Sequence, residues 1–307
     1  MRIAVIGAGG VGGYFGAQLA RAGHAVAFVA RGRHLAALRE NGLTVESAVG
    51  PVQSMRVVAT DKPAELAPVD VVMFCLKLWD VEANAAALAP LLAAGAVVIP
   101  FQNGVESHEM LARALGAERV AGGVAQIGAV IRAPGVIAHT GTMSKLRVGA
   151  FTGGQQSLLR DFVAAGKAAG IDIEYVDDIR RALWEKFVFL VAMSGATALA
   201  RQPIGVVRAD ADLRAVLAAS MRETLAVGAT RGVVFDEKFV DRQMAFVDGL
   251  PAEMRTSMLN DLVAGNRLEA PWLAGAVARM ATAAGVPAPV NATIYAALKP
   301  YLGGGAH

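Results

Sequence analysis

The chain has 307 residues, 55% of them hydrophobic, enough for two domains with sizeable cores and no disordered low-complexity tract. Its formal net charge is only +3, and beyond one basic cluster at 31–39 it lacks the zinc-finger spacing and basic–aromatic interleaving of a nucleic-acid binder. The single cysteine, Cys75, excludes an intrachain disulfide framework, and the five histidines are isolated in sequence and form no local metal motif.

A short apolar strand, Ile3-Ala-Val-Ile6, breaks at Gly7-x-Gly9-x-x-Gly12 and gives way to a helical stretch. Glycines at this spacing supply a tight turn, room for backbone to approach a pyrophosphate, and close packing of helix on strand. The helix N-terminus then offers N–H groups and a positive dipole end to phosphates. Gly7, Ala8, Gly9, Gly10, Val11 and Gly12 are therefore the expected dinucleotide loop. The next strand, over 24–30, ends at Arg31, and no carboxylate occurs between the glycine loop and Glu40. An NAD site places an acid near this point for the ribose hydroxyls. Arg31 and Arg33 suit a 2′-phosphate instead, which points to NADP. The plainer reading is a solvated basic loop.

Strand and helix signals continue to alternate: a strand over 69–76, a helix over 80–92, a strand over 96–101 and a helix over 107–115. Several short β runs between 119 and 148, broken at Pro134-Gly135 and Gly141, predict an appended antiparallel part. A helix over 155–169 and a strand over 171–176 close this half. Beyond residue 178 helical periods dominate, over 179–200, 211–230, 237–246, 257–264, 271–284 and 291–298. The expected fold is α/β, a Rossmann-like doubly wound sheet domain over 1–177 followed by an all-α substrate domain over 178–307. The last five residues read as a frayed tail. A mean hydropathy of +0.46 raises the question of a membrane span. The longest uncharged stretch, 83–105, holds Pro90, Gly95, Pro100, Gln102 and Asn103, and fits helix, turn and strand better. The N-terminal apolar run has no basic leader, so a cytoplasmic protein is expected.

Ligands of open parallel sheets bind outside the carboxyl ends of the strands. That edge should carry the glycine loop, Arg31, Lys77 and Gln102-Asn103-Gly104. Lys77 reads as a phosphate contact or as a snorkelling lysine, and Asn103 as a ligand contact or a turn. In the helical half, Lys186 is the last charge before Arg201. A desolvated lysine loses basicity and becomes a useful proton donor, although an amphipathic lysine at a helix boundary, with Trp184 as core, is the plainer reading. Glu269 likewise reads first as an acid near a helix N-terminus.

Taken in order, these segments resemble the ketopantoate reductase (2-dehydropantoate 2-reductase) family over nearly the whole chain. The glycine loop, Arg31, Cys75-Leu-Lys77, Gln102-Asn-Gly104 and Gly123-Val-Ala-Gln-Ile-Gly-Ala129 match its NADP half. Arg181-Ala-Leu-Trp-Glu-Lys186, Ser257-Met-Leu-Asn-Asp261 and Arg267-Leu-Glu269 match its substrate half. The resemblance implies NADPH-dependent reduction of a 2-oxo acid, ketopantoate to pantoate, on the way to pantothenate and coenzyme A. It implies Arg31 and Lys77 at the adenosine phosphate end, Asn103 beside nicotinamide and substrate, and Ala129 lining the cofactor site. Lys186 would give a proton to the carbonyl oxygen, Glu269 would position substrate and lysine, and Ser257 would bind the substrate carboxylate. Leu190, Ser194 and Ile204 stand where the family often has asparagines, which makes the pocket more apolar; Ser194 is still expected at the substrate. The alternatives are a paralogous NADP-dependent 2-oxo or 3-hydroxy acid dehydrogenase with a more apolar substrate, or a non-catalytic NADP(H) sensor. The expected partner is a small-molecule 2-oxo acid, with no metal, nucleic acid or membrane, and a homodimer is the assembly held open.

Overall fold

The computed structural model describes residues 1–66 and 68–305. Five parallel strands, β1 (Arg2–Ile6), β2 (Ala25–Val29), β5 (Val58–Thr60), β6 (Val69–Phe74) and β7 (Leu92–Pro100), form a sheet in the order β5-β2-β1-β6-β7. Chain order reverses beside β1, so the loop leaving β1 opens at the switch point where such sheets bind ligands. Its strands read as near-continuous apolar runs because both faces are covered: β1 is buried from Ile3 to Ile6 and β6 from Val71 to Phe74. Helices α1 (Gly10–Arg21), α2 (Gly32–Asn41), α3 (Val81–Ala85) and α4 (Ser107–Leu115) follow the strands.

A second, mixed sheet takes β3 (Leu43–Ser47), β4 (Gly50–Met55), β8 (Gly122–Ala133), β9 (Val136–Gly149) and β10 (Asp172–Tyr175), with α5 (Gln156–Ala168) before its last strand. The expected short β runs are in fact two long strands. β8 and β9 pair antiparallel around Pro134-Gly135, and the Gly141 region is absorbed as an irregularity in their register. The expected helix over 80–92 is also broken: α3 ends at Ala85 and a 3-10 segment holding Pro90 continues to Leu91. Proline lacks the N–H that an α-helical turn would need there.

The remaining helices are α6 (Ile179–Ala200), α7 (Ile204–Ala209), α8 (Ala211–Thr230), α9 (Phe239–Asp248), α10 (Ser257–Val263), α11 (Ala274–Ala284) and α12 (Pro289–Leu298). By contacts the chain forms two compact units, Met1–Gln102 with Glu106–Ala182, and Asn103–Val105 with the residues from Leu183 onward. In the second, Val188, Ala192 and Met193 of α6 pack with Leu217, Met221, Phe239 and Val247. α6 is long and apolar enough to cross a membrane by composition, but 72% of its most apolar window is buried inside the protein, as in a core helix. The expected frayed tail is corrected at Gly304 and Gly305, whose N–H groups donate to Tyr301 and Gly265 carbonyls. Ala306 and His307 lie outside the described residues.

Candidate active site

The nucleotide unit builds its site from the glycine loop. Gly7 adopts φ +99°, open to glycine at little cost, and its N–H donates to the Val29 carbonyl at the end of β2. A Cβ on Gly12 would lie 2.2 Å from the Gly7 carbonyl oxygen and 2.7 Å from Val5, so only a glycine lets α1 come this close to β1. Nothing lies within 4 Å of where a Gly9 Cβ would stand. Gly9 caps α1 without a side-chain hydrogen bond, and no acid sits in the first turn. The positive end of this helix is thus left for an anion. The Ala129 carbonyl abuts Gly10 so closely that a Cβ there would stand 2.0 Å from its oxygen.

Arg31 is exposed at the N-cap of α2, and its Nη2 donates to Asn84 Oδ1 at 2.7 Å. Asn84 Nδ2 in turn donates to the Asp80 carbonyl at 2.6 Å. This bracing of the guanidinium had no signal in sequence. Lys77 is exposed just past β6, its Nζ 5.6 Å from the centroid of the Trp79 ring. Gln102, buried, ties the neighbouring strand ends together, its Nε2 donating to the Phe74 and Leu76 carbonyls at 3.0 Å each.

Within the helical unit, Lys186 Nζ donates to Asn103 Oδ1 at 2.9 Å. Burial pushes the lysine down to about 8, and the nearby Glu269 carboxylate works against that drop. Glu269 itself is buried, at the N-cap of the 3-10 turn Ala270–Trp272. The structure therefore brings Asn103, Lys186 and Glu269 together, residues far apart in sequence. Ser257 is exposed at the first position of α10. The cap before it is well held: Thr256 Oγ1 accepts from the Leu259 N–H and pairs with Thr197 Oγ1 at 2.9 Å, and Thr197 donates to the Met193 carbonyl. α6 and α10 are thereby joined by a chain of hydroxyls that sequence reading missed. Ser194 is fully buried, and its hydroxyl has no partner among the described residues. Ile204 is fully buried in the helical core. Of the three expected departures only Leu190 keeps exposed surface.

Two family sequence models cover this arrangement: "Ketopantoate reductase PanE/ApbA" over residues 3–153 and its C-terminal counterpart over residues 178–302. The chain belongs to the ketopantoate reductase family. It is 32% identical to a 2-dehydropantoate 2-reductase of Archaeoglobus fulgidus over 95% of both chains. A PanE/ApbA family ketopantoate reductase structure from Ralstonia eutropha aligns with TM-score 0.89 at 31% identity, over 98% of each chain. A D-mandelate dehydrogenase structure aligns with the same TM-score over 98% of each chain, but at 19% identity that likeness is one of fold alone.

Ketopantoate reductases are oxidoreductases acting on CH–OH groups, and the family reduces with NADPH. The residues fit that cofactor: the space before Gly9, the uncapped start of α1 and the braced Arg31 form a chain of anion-binding features in one unit. Arg31→Ala should raise the dissociation constant for NADPH about tenfold, the worth of a charge-assisted contact, and leave NADH nearly unchanged. Fluorescence titration with both nucleotides checks this; equal losses would overturn the 2′-phosphate role.

Proposed function

We propose that this ketopantoate reductase family member reduces a 2-oxo acid to the 2-hydroxy acid with NADPH. The foremost substrate is 2-dehydropantoate, giving pantoate for pantothenate and coenzyme A synthesis in the cytoplasm. The observation that carries the reading is the Lys186 ammonium, which donates to Asn103 Oδ1 near the Glu269 carboxylate and which burial makes more acidic. Gly7, Ala8, Gly9, Gly10, Val11 and Gly12, with Arg31, Lys77, Asn103 and Ala129, would hold the cofactor. When bound, NADPH supplies a hydride to the carbonyl carbon. Lys186 Nζ gives its proton to the carbonyl oxygen, and its charge stabilises the developing alkoxide. The neutral amine then recovers a proton from solvent. Glu269 keeps the ammonium charged and oriented. Ser257, at a helix N-terminus, binds the substrate carboxylate. Ser194, expected at the substrate, is fully buried, so no substrate reaches its hydroxyl and it is left out of the proposed contacts.

A second reading concerns the substrate side chain. Leu190 lies one helical turn beyond Lys186 and keeps exposed surface where an amide would hydrogen-bond a substrate hydroxyl. This favours a 2-oxo acid with a less polar side chain. A panel of 2-oxo acids, followed by NADPH absorbance, decides between the two. Turnover with no 2-oxo acid would sink both. Leu190→Asn should raise kcat/KM for 2-dehydropantoate relative to 2-oxoisovalerate by about fivefold, because a matched polar contact discriminates for the hydroxyl. An unchanged ratio places Leu190 outside the specificity pocket.

A further inference from the structure

His34 joins three separate segments of the nucleotide unit. It sits in the first turn of α2, three residues after Arg31. Its Nε2 meets the Ala8 carbonyl at 2.8 Å, and its Nδ1 meets the Gly135 N–H at 3.0 Å. The partners fix the tautomer. A carbonyl can only accept, so Nε2 carries the hydrogen; an N–H can only donate, so Nδ1 is bare. Protonation would set two donors against each other at Nδ1. Burial pushes the imidazole below its ordinary value, which keeps this neutral form at neutral pH.

The consequences reach the phosphate loop. In a trans peptide the carbonyl and the following N–H point in opposite directions. Drawing the Ala8 carbonyl toward His34 therefore turns the Gly9 N–H away from it, and Gly9 is the residue beside whose Cβ position no protein atom lies within 4 Å. The Gly135 side of the ring is equally fixed. Gly135 lies in the β8–β9 turn, accepts from the Thr44 N–H at 2.8 Å, and approaches Ala37 of α2. One imidazole thus links the loop for the pyrophosphate to the helix start that carries Arg31.

We propose that His34 is a positioning residue for the dinucleotide: its bond to Ala8 aims the Gly9 amide and sets the spacing between the pyrophosphate loop and Arg31. The inference rests on the NADPH reading of the glycine loop but not on the identity of the 2-oxo acid. Nothing in the reaction touches His34, so its effect belongs to cofactor affinity and not to the chemical step.

Two substitutions separate the two bonds. The terminal amide of glutamine overlies Nε2 and keeps a donor for Ala8; that of asparagine overlies Nδ1 and keeps an acceptor for Gly135. His34→Asn should raise the NADPH dissociation constant about tenfold, and His34→Gln should stay within about threefold of the parent, the range of a hydrogen bond lost or kept. Thermal melting reports folding of each variant, and amide hydrogen exchange on the apoprotein reads the loop directly. Faster exchange at Gly9 and Gly10 in His34→Asn alone is the expected result. Equal affinity losses in both folded variants, or parental NADPH affinity in His34→Asn, would overturn the proposal. If the parent bound NADPH but reduced no 2-oxo acid, the substrate reading would fall and this one would stand.

Discussion

Replacing Lys186 by alanine should lower kcat by about a thousandfold, the scale of a lost general acid and alkoxide-stabilising charge. NADPH affinity should stay near the parent value, because the phosphate contacts proposed for the nucleotide, the glycine loop, Arg31 and Lys77, all lie in the other unit. α6 carries Lys186 between Glu185 and Phe187, two residues after the buried Trp184. An ordinary exposed lysine is a poor proton donor at neutral pH because its proton is held too tightly. Burial brings this one to about 8, near the pH at which the enzyme would work. The sign of the pH effect follows. The ammonium is the acid, so kcat/KM should be level below that value and fall as pH rises through it. Glu269 raises the lysine's affinity for its proton. Glu269→Gln should therefore move the falling limb to lower pH, a shift that mere loosening of the fold would not produce. A limb that stays in place in Glu269→Gln, or a Lys186→Ala enzyme with parental kcat, would remove the assigned chemistry.

Sequence legibility followed the range of the forces involved. The glycine loop was readable because its three constraints lie within six residues, α6 because it is a long, mostly apolar run, and α8 because the Asp210 side chain caps its start, accepting from the Asp212 and Leu213 N–H groups. β3, β4 and β5 were not foreseen. They are short, and β4 is an edge strand paired only with the neighbouring β3 and largely exposed, with Val52 at 65%, while β3 pairs with β9, far along the chain, and β5 with β2. For β3, register with β9 supplies what local alternation does not. The same applies to the site. Lys186 and Glu269 could be suspected from the uncharged stretches beside them, but their approach to each other and to Asn103 is a tertiary fact. Asn84 behind Arg31 and His34 behind Ala8 had no local signal. The imidazole's two partners lie 26 and 101 residues away. Ile204 shows the opposite limit: its position in the motif drew attention, and packing assigns it to the core.

Gly9→Ala and Gly10→Ala, neighbours in one loop, should fail in opposite ways. At Gly9 the backbone is extended, with φ −78°, which alanine adopts freely, and the new methyl would meet nothing in the protein within 4 Å. Its melting temperature should stay close to the parent, since alanine at an N-cap costs about 1 kcal/mol or less relative to glycine. Yet on the proposed reading of the glycine loop the methyl would intrude on the pyrophosphate. NADPH affinity should fall about a hundredfold, the worth of a steric intrusion that neither loop nor ligand can relieve. At Gly10 the methyl would stand 2.0 Å from the Ala129 carbonyl oxygen and 2.5 Å from its carbon. Both are backbone atoms of β8, so no side-chain rotation removes the clash. Either α1 or β8 must move, at about 1–3 kcal/mol of stability or more. Gly10→Ala should thus melt early with or without cofactor, whereas Gly9→Ala should melt normally and lose only the stabilisation that NADPH gives the parent. Thermal melts of both variants, run with and without NADPH, read the two effects separately. If the Gly9→Ala protein were still stabilised by NADPH as the parent is, the pyrophosphate would not approach the backbone at Gly9, and the phosphate assignment of the glycine loop would have to be redrawn.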